Sequence, residues 1–382
     1  MSSSLQRTKT ILTTVVGTPN LSKLRRLFTL PKNRRYALDT HYAEKVEFQR
    51  LRDDFFPVGS PQYYDSGGTD RKGLYSENNI DEKNLVLTGE FEPLQKLDET
   101  GKWRAQVESA IKAMKKKKQD ALFGIEAFDR IDAAEDAKWL VKLKEEHDIA
   151  LKVQLTYNHQ NQLATGCRAV ESVNGPYSEE GLSPLGKEVA NILMLGGIII
   201  DVSHLNKRST LDVCKISMDL KEPVPVIASH SNTRVVFEQG GTTDGLKTKE
   251  RFARRCIDDE EIKAILETGG YVGLTFYPDF LSVEKSKDML GLWVLHIEHV
   301  VEIAKGAKLP AGLTPQDSVA VASDVERKNG VLSVPGGYSK RKYKKIFTYL
   351  EDALENKKSR WKPADIDALF HGNVERVFHL KE

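Results

Sequence analysis

The chain has 382 residues, of which 40% are hydrophobic and 29% charged, the balance of an ordinary globular protein rather than a disordered or fibrous one. A formal net charge of +2 gives no reason to expect nucleic acid as a partner, and no apolar run reaches the length of a membrane span. The three cysteines, Cys167, Cys214 and Cys256, lie far apart and form no CxxC, so they build neither a disulfide framework nor a zinc knuckle and fit a reducing, cytoplasmic setting.

Residues 1–35 read as a basic N-terminal extension: the first 38 positions hold eight Lys or Arg and no acid before Asp39. An organelle transit peptide is the alternative reading of that composition. The final "VFHLKE" carries no hydrophobic tail of the lipid-anchor type. From residue 36 onward, eight short β-branched runs follow one another. They are "YALDTH" (36–41), "NLVLTGE" (84–90), "ALFGIE" (121–126), "ALKVQLTY" (150–157), "GIIIDVSH" (197–204), "PVIASHS" (225–231), "YVGLTF" (271–276) and "VAVASDV" (319–325). Their near-continuous hydrophobicity is that of parallel strands buried on both faces.

Helical patterns separate most of these runs. In "LSPLGKEVANILMLGG", Ser183 is the expected N-cap, Pro184 the first helical residue, and Gly196 and Gly197 the stop. In "DDEEIKAILETGG", Asp258 and Glu261 have the spacing of a capping box and Gly269 ends the helix. "HIEH" places His296 and His299 three apart on a helix, where both read as packing residues. "KAMKKKK" (112–118) is the solvated face of another helix. Eight strands with intervening helices predict one (β/α)8 barrel over residues 36–382, with a doubly wound open sheet as competitor. Residues 51–83 and 166–182 fall outside this rhythm and read as long loops.

The polar residues that close the runs carry the chemistry. His41, Glu126, His204, His230 and Asp324 each end a predicted strand, and His159 follows the fourth. In a parallel barrel all carboxyl ends open on one face. His41, Glu126, His204 and His230 are therefore expected to converge, and imidazoles with a carboxylate form a ligand set suited to zinc. Taken singly, a strand-end histidine is more often a hydrogen-bonded rim residue, Glu126 a salt-bridge partner and Asp324 a helix cap; the convergence of the set gives the metal reading its weight.

In this order, "GIE" (124–126), "LTYNHQNQLATGC" (155–167), "GLSPLGKEV" (181–189), "IDVSHLNKRST" (200–210), "PVIASHSNTR" (225–234), "RCIDDEEI" (255–262), "HIEHVVEIA", "VASDV" and "GNVERVF" resemble the membrane dipeptidase family of metallopeptidases, within the amidohydrolase superfamily. The resemblance implies a two-zinc site. His41 and Glu126 would belong to the first ion, with Glu126 bridging to a second held by His204 and His230. His159 matches the residue that contacts substrate at the scissile carbonyl, Arg255 the arginine that grips a dipeptide carboxylate, and Asp324 the acid beside the reacting water. It also makes a homodimer plausible. The chain departs from the pattern in "DTHYAEK", where Ala43 stands in place of the Asp of the family's His-x-Asp. Asp39 and Glu44 are nearby carboxylates but not direct replacements, so a mononuclear or weakened first metal site is expected. Two functions follow: a zinc-dependent hydrolase of dipeptides, and a family member without that chemistry that serves as a binding or scaffold protein.

Overall fold

A computed structural model describes residues 132–169, 176–239, 247–275, 278–283, 289–322 and 361–379, together with the strand segments given below and isolated positions within 103–130 and 350–354. All eight expected strands are present: β1 (Tyr36–Leu38), β2 (Leu85–Phe91), β3 (Leu122–Ile125), β4 (Leu151–Val153), β5 (Ile199–Asp201), β6 (Val226–Ile227), β7 (Val272–Thr275) and β8 (Val319–Ala322). Except for β2, which runs one residue past its apolar run, each strand is shorter than the run that marks it. An antiparallel hairpin, β9 (Glu326–Lys328) with β10 (Val331–Ser333), follows β8 and was not expected.

The strands pair parallel in sequential order from β1 to β6, and β7 pairs parallel with β8. A parallel bridge between Ala228 and Val272 joins β6 to β7. The bridge is reinforced by bonds from Gly273 N to Ala228 O (2.7 Å) and from Ser231 N to Gly273 O (2.8 Å). A doubly wound sheet would reverse its strand order midway. This one never reverses, and β8 returns to within contact of β1. The architecture is the (β/α)8 barrel, although no hydrogen-bonded pair between β8 and β1 occurs among the described residues.

Helices α1 (Ala133–His147), α2 (Pro184–Leu195), α3 (Lys207–Asp219), α4 (Asp259–Glu267) and α5 (Met289–Ala304) pack outside the strands, and α6 (Asn373–Phe378) lies across one end of the barrel; further short helical segments lie between them. The caps are those the sequence predicts. Ser183 Oγ accepts from Gly186 N at the start of α2, and Asp258 and Glu261 form a complete capping box on α4. Gly197 (φ 66°) and Gly269 (φ 88°) turn the chain out of α2 and α4 through the left-handed region that a Cβ disfavours.

Two apolar clusters map onto the two faces of the strands. Ile198, Ile200, Val202, Val226, Ala228, Val272 and Leu274 face outward into the helical layer. Their alternates Ile199, Ile227, Tyr271 and Ala320 point inward and meet Val374, Val377 and Phe378 of α6, which plugs the amino-terminal end of the barrel. Above that plug the interior is polar: Lys152, Gln154, Asp201, Ser203 and Ser229 are all buried. The expectation of apolar strands on both faces therefore holds for the outer face and the floor, not for the upper interior. No helix among the described residues is long and apolar enough to cross a membrane.

His296 and His299 pack as the sequence predicts. His296 Nδ1 accepts from Thr233 N (3.1 Å) and Thr233 Oγ1 (2.8 Å), and its Nε2 donates to Leu281 O (3.0 Å). His299 Nε2 lies 2.7 Å from Asp259 Oδ1 and links α5 to α4. Burial lowers the pKa of His296 from 6.5 to about 3. With the folded-state value depressed, its contribution to stability is complete above about pH 6.5 and is lost as pH falls toward about 3. The difference in urea-unfolding free energy between wild type and His296→Gln should fall by about 1.4 kcal/mol per pH unit as pH drops from about 6 to about 4, a comparison that cancels the opposing titration of buried Glu261, whose pKa is raised to about 7.

Candidate metal centre

Four of the residues singled out by sequence can be placed: His159, His204, His230 and Arg255. His41, Glu126 and Asp324, with Ala43, Asp39 and Glu44, lie outside the described residues. His204 and His230 each follow the end of their strand, β5 or β6, by three residues, in turns that bend back over the barrel mouth. Both are buried. Their Nε2 atoms face each other at 2.9 Å, with ring centroids 5.0 Å apart and planes at 63°.

Each ring is held from behind. His204 Nδ1 lies 3.1 Å from Asn158 Oδ1, an oxygen that also accepts from Cys167 Sγ, and Tyr157 stacks on the ring at 4.3 Å. His230 Nδ1 lies 2.8 Å from Ser229 Oγ. The Ser229 hydroxyl in turn donates to Asp201 Oδ2, so its oxygen accepts from the ring. With acceptors behind both Nδ1 atoms, both Nε2 atoms point into one space, where a shared proton or a cation can lie between them. Two nitrogens bound to a single tetrahedral zinc at about 2.0–2.1 Å stand about 3.3 Å apart, so the observed pair fits one divalent ion after a shift of a few tenths of an ångström. Among the described residues no group of three or more His, Cys, Asp or Glu forms a complete ligand set. The pair is thus the part of a site that these residues supply.

Arg255 joins the pair. Its Nη1 donates to the Ser203 carbonyl, its Nη2 to the His230 carbonyl (3.4 Å), and Nη2 stands 3.5 Å from His204 Nε2. The guanidinium also lies 5.3 Å from the Phe280 ring centroid. His159 does not join it. Its side chain is exposed on the loop after β4, and it makes no hydrogen bond with the pair or with Arg255. The loop itself is fixed to the site. Gly166 N donates to His159 O (3.1 Å), Cys167 N to His204 O (2.9 Å), and Gly166 forms a bridge with Leu205. A Cβ at Gly166 would come within 2.4 Å of the Asn158 carbonyl carbon, so this crossing requires glycine.

Beneath the pair sits Asp201, which the sequence reading passed over. Its carboxylate accepts from Ser203 N (3.1 Å), Ser203 Oγ (2.7 Å), Ser229 N (3.0 Å), Ser229 Oγ, Gln154 Nε2 (2.9 Å) and Lys152 Nζ (3.2 Å). Burial pushes its pKa upward, but Lys152, His230 and the Ser229 bonds outweigh burial and hold it well below the ordinary carboxylate range. The signal was present in "ALKVQLTY" and "IIIDVSH". Lys152, Gln154 and Thr156 alternate with apolar residues, as do Asp201 and Ser203, which marks a polar inner face. A cavity of about 230 Å³ lies beside the centre rather than in it, lined by Cys167, Asn206, Arg234, Cys256 and Glu261 among others.

The sequence profile of the membrane dipeptidase family, peptidase family M19, matches residues 94–382, and the chain belongs to that family. The matched region begins after the "DTHYAEK" segment. Two uncharacterised dipeptidases of Schizosaccharomyces pombe are 25% identical over 183 residues and 23% identical over 184. These alignments cover 47% and 48% of this chain but only 38% of each relative, well short of their full length. Among solved structures, a metallo peptidase from Rhodobacter sphaeroides, liganded with a phosphinate mimic of the dipeptide L-Ala-D-Ala, superposes with a TM-score of 0.57 at 16% identity. That superposition covers 92% of this chain and 100% of the other. An amidohydrolase from Pseudomonas aeruginosa superposes with a TM-score of 0.55 at 18% identity, covering 82% of this chain and 93% of that one. At such identities the superpositions establish the fold.

The Asp201–Lys152 pair gives the centre a measurable dependence on a residue that touches neither imidazole. Lys152→Met leaves a buried carboxylate without its counter-charge and should lower unfolding free energy by about 3–5 kcal/mol in denaturant titrations. Adding Asp201→Asn to that variant should recover part of the loss.

Proposed function

We propose that the chain is a metal-dependent hydrolase of dipeptides that uses zinc. The observation that carries this reading is the His204–His230 pair: two buried imidazoles in the turns after adjacent strands, Nε2 to Nε2 at 2.9 Å, with both Nδ1 atoms backed by acceptors. Membership of the M19 family, and a similar fold in a protein that carries a dipeptide mimic, support it.

His41 and Glu126 would complete the site. His41 follows β1 by three residues, the same offset that His204 and His230 keep from β5 and β6, and Glu126 directly follows β3. A divalent cation there would supply Lewis-acid activation of water and of the peptide carbonyl. The chain's residues supply the rest. Arg255 stands beside the imidazoles and would offer its fork to the free α-carboxylate of a dipeptide, which favours short substrates. His159 would hydrogen-bond the scissile carbonyl oxygen, its loop carrying it over the substrate. Asp324 would take the proton of the attacking water and return it to the leaving amine. Ala43 removes one carboxylate from the first ion's side, so that ion would bind weakly and the His204–His230 position tightly.

The same Ala43 is the feature that favours a second reading, a family member that binds small ligands or partner proteins without hydrolysing a peptide. Metal content and turnover separate the two. Purified protein should retain about one zinc per chain and hydrolyse a panel of unblocked dipeptides, and His230→Ala should lose both. Absence of bound metal and of turnover with added Zn²⁺ or Mn²⁺ would reject the hydrolase. Arg255→Lys should raise KM about tenfold or more for dipeptides while leaving zinc content unchanged, as expected when a bidentate carboxylate contact is lost.

A further inference from the structure

We infer that Ser229, backed by Asp201, is a positioning residue that dictates which ring nitrogen of His230 faces the site, and that Asn158 does the same for His204. The inference rests on the reading of the pair as metal ligands, but it concerns the protein's own hydrogen-bond directions and can be tested without metal.

The shortest contacts give the chain of bonds its direction; the Ser203 and Ser229 hydroxyl oxygens also stand 3.3 Å apart, farther than either stands from Asp201. Asp201 faces Lys152 Nζ at 3.2 Å inside the barrel and receives donors on both oxygens, so it is an ionised acceptor. A hydroxyl has one proton. Ser229 commits that proton to Asp201 Oδ2, and Ser203 commits its own to Asp201 Oδ1 at 2.7 Å. The remaining capacity of Ser229 Oγ toward His230 Nδ1, at 2.8 Å, is to accept. His230 therefore carries its proton on Nδ1 and presents the Nε2 lone pair. Ser203 completes the brace, its Oγ accepting from His230 N at 3.0 Å, so the backbone and the ring of His230 are tied to the same carboxylate. Asn158, with Oδ1 turned to the ring, imposes the equivalent arrangement on His204. Partners of this kind typically change metal affinity 10–100-fold when removed.

The test uses the full chain, with histidine rings labelled with ¹⁵N and the His230 signals assigned by their absence in His230→Gln. In metal-free wild type, Nδ1 of His230 should resonate as a protonated, pyrrole-type nitrogen. In Ser229→Ala it should move toward the pyridine type as the ring samples both tautomers. Ser229→Thr keeps the hydroxyl and should restore the wild-type signal. In parallel, competition with a chromophoric chelator should show Zn²⁺ affinity falling by about 10–100-fold in Ser229→Ala and recovering in Ser229→Thr. A purely structural serine would not give that paired rescue. A pyridine-type Nδ1 in wild type overturns the inference, as does a Ser229→Ala protein with unchanged ring signals and unchanged Zn²⁺ affinity. If Ser229→Ala does not fold, the wild-type spectrum decides alone. If wild type binds no Zn²⁺, the hydrolase reading fails while the ring spectra still judge the serine.

Discussion

The structure depends on one buried carboxylate. Asp201 projects from β5 into the barrel and gathers donors from β4, through Lys152 and Gln154, and from the turn after β6, through Ser229. An ionised group at that depth is tolerable only with a counter-charge and full hydrogen bonding. Lys152 supplies the first and the two serines much of the second. Three adjacent strands are thereby registered at the level where their chains leave the sheet, and the imidazoles of His204 and His230 are set directly above. Stability and site geometry thus draw on the same group of bonds.

The barrel interior divides by height in consequence. Its floor is apolar, with Ile199, Ile227, Tyr271 and Ala320 closed off by α6. Its middle is the polar layer around Asp201, and its mouth holds the histidine pair and Arg255. Successive inward residues two positions apart enter successive layers, as Ile199, Asp201 and Ser203 show on β5 and beyond. The outward residues of β5, β6 and β7 stay apolar because helices cover them. A metal at the mouth would therefore sit on a rigid polar platform rather than on loops alone, a condition for holding ligands within fractions of an ångström.

The family assignment and the pair geometry point to the same chemistry from independent directions, sequence similarity over residues 94–382 and convergence of two nitrogens. The first-strand motif with Ala43 lies outside the matched residues. In the proposed two-ion arrangement, a carboxylate missing on one side would leave the other side's histidines, with their own hydrogen-bonded supports, chemically intact. That asymmetry is why hydrolysis with one tightly held ion is the stronger of the two readings.

Much of this was legible in the sequence because it depends on local rules. Apolar runs between turn residues marked all eight strands. Ser183 and Asp258 announced their helices, since a cap is a bond between near neighbours in the chain. The parallel barrel followed from strand count, and His204 and His230 from their position at strand ends. What only the tertiary structure decided were relations between residues far apart in sequence. The 49-residue separation of Lys152 and Asp201 and the 46-residue separation of Asn158 and His204 carry no mutual local signal. Short-range chemistry writes the elements; the direction in which an imidazole points is settled by partners that only folding brings within 3 Å or so.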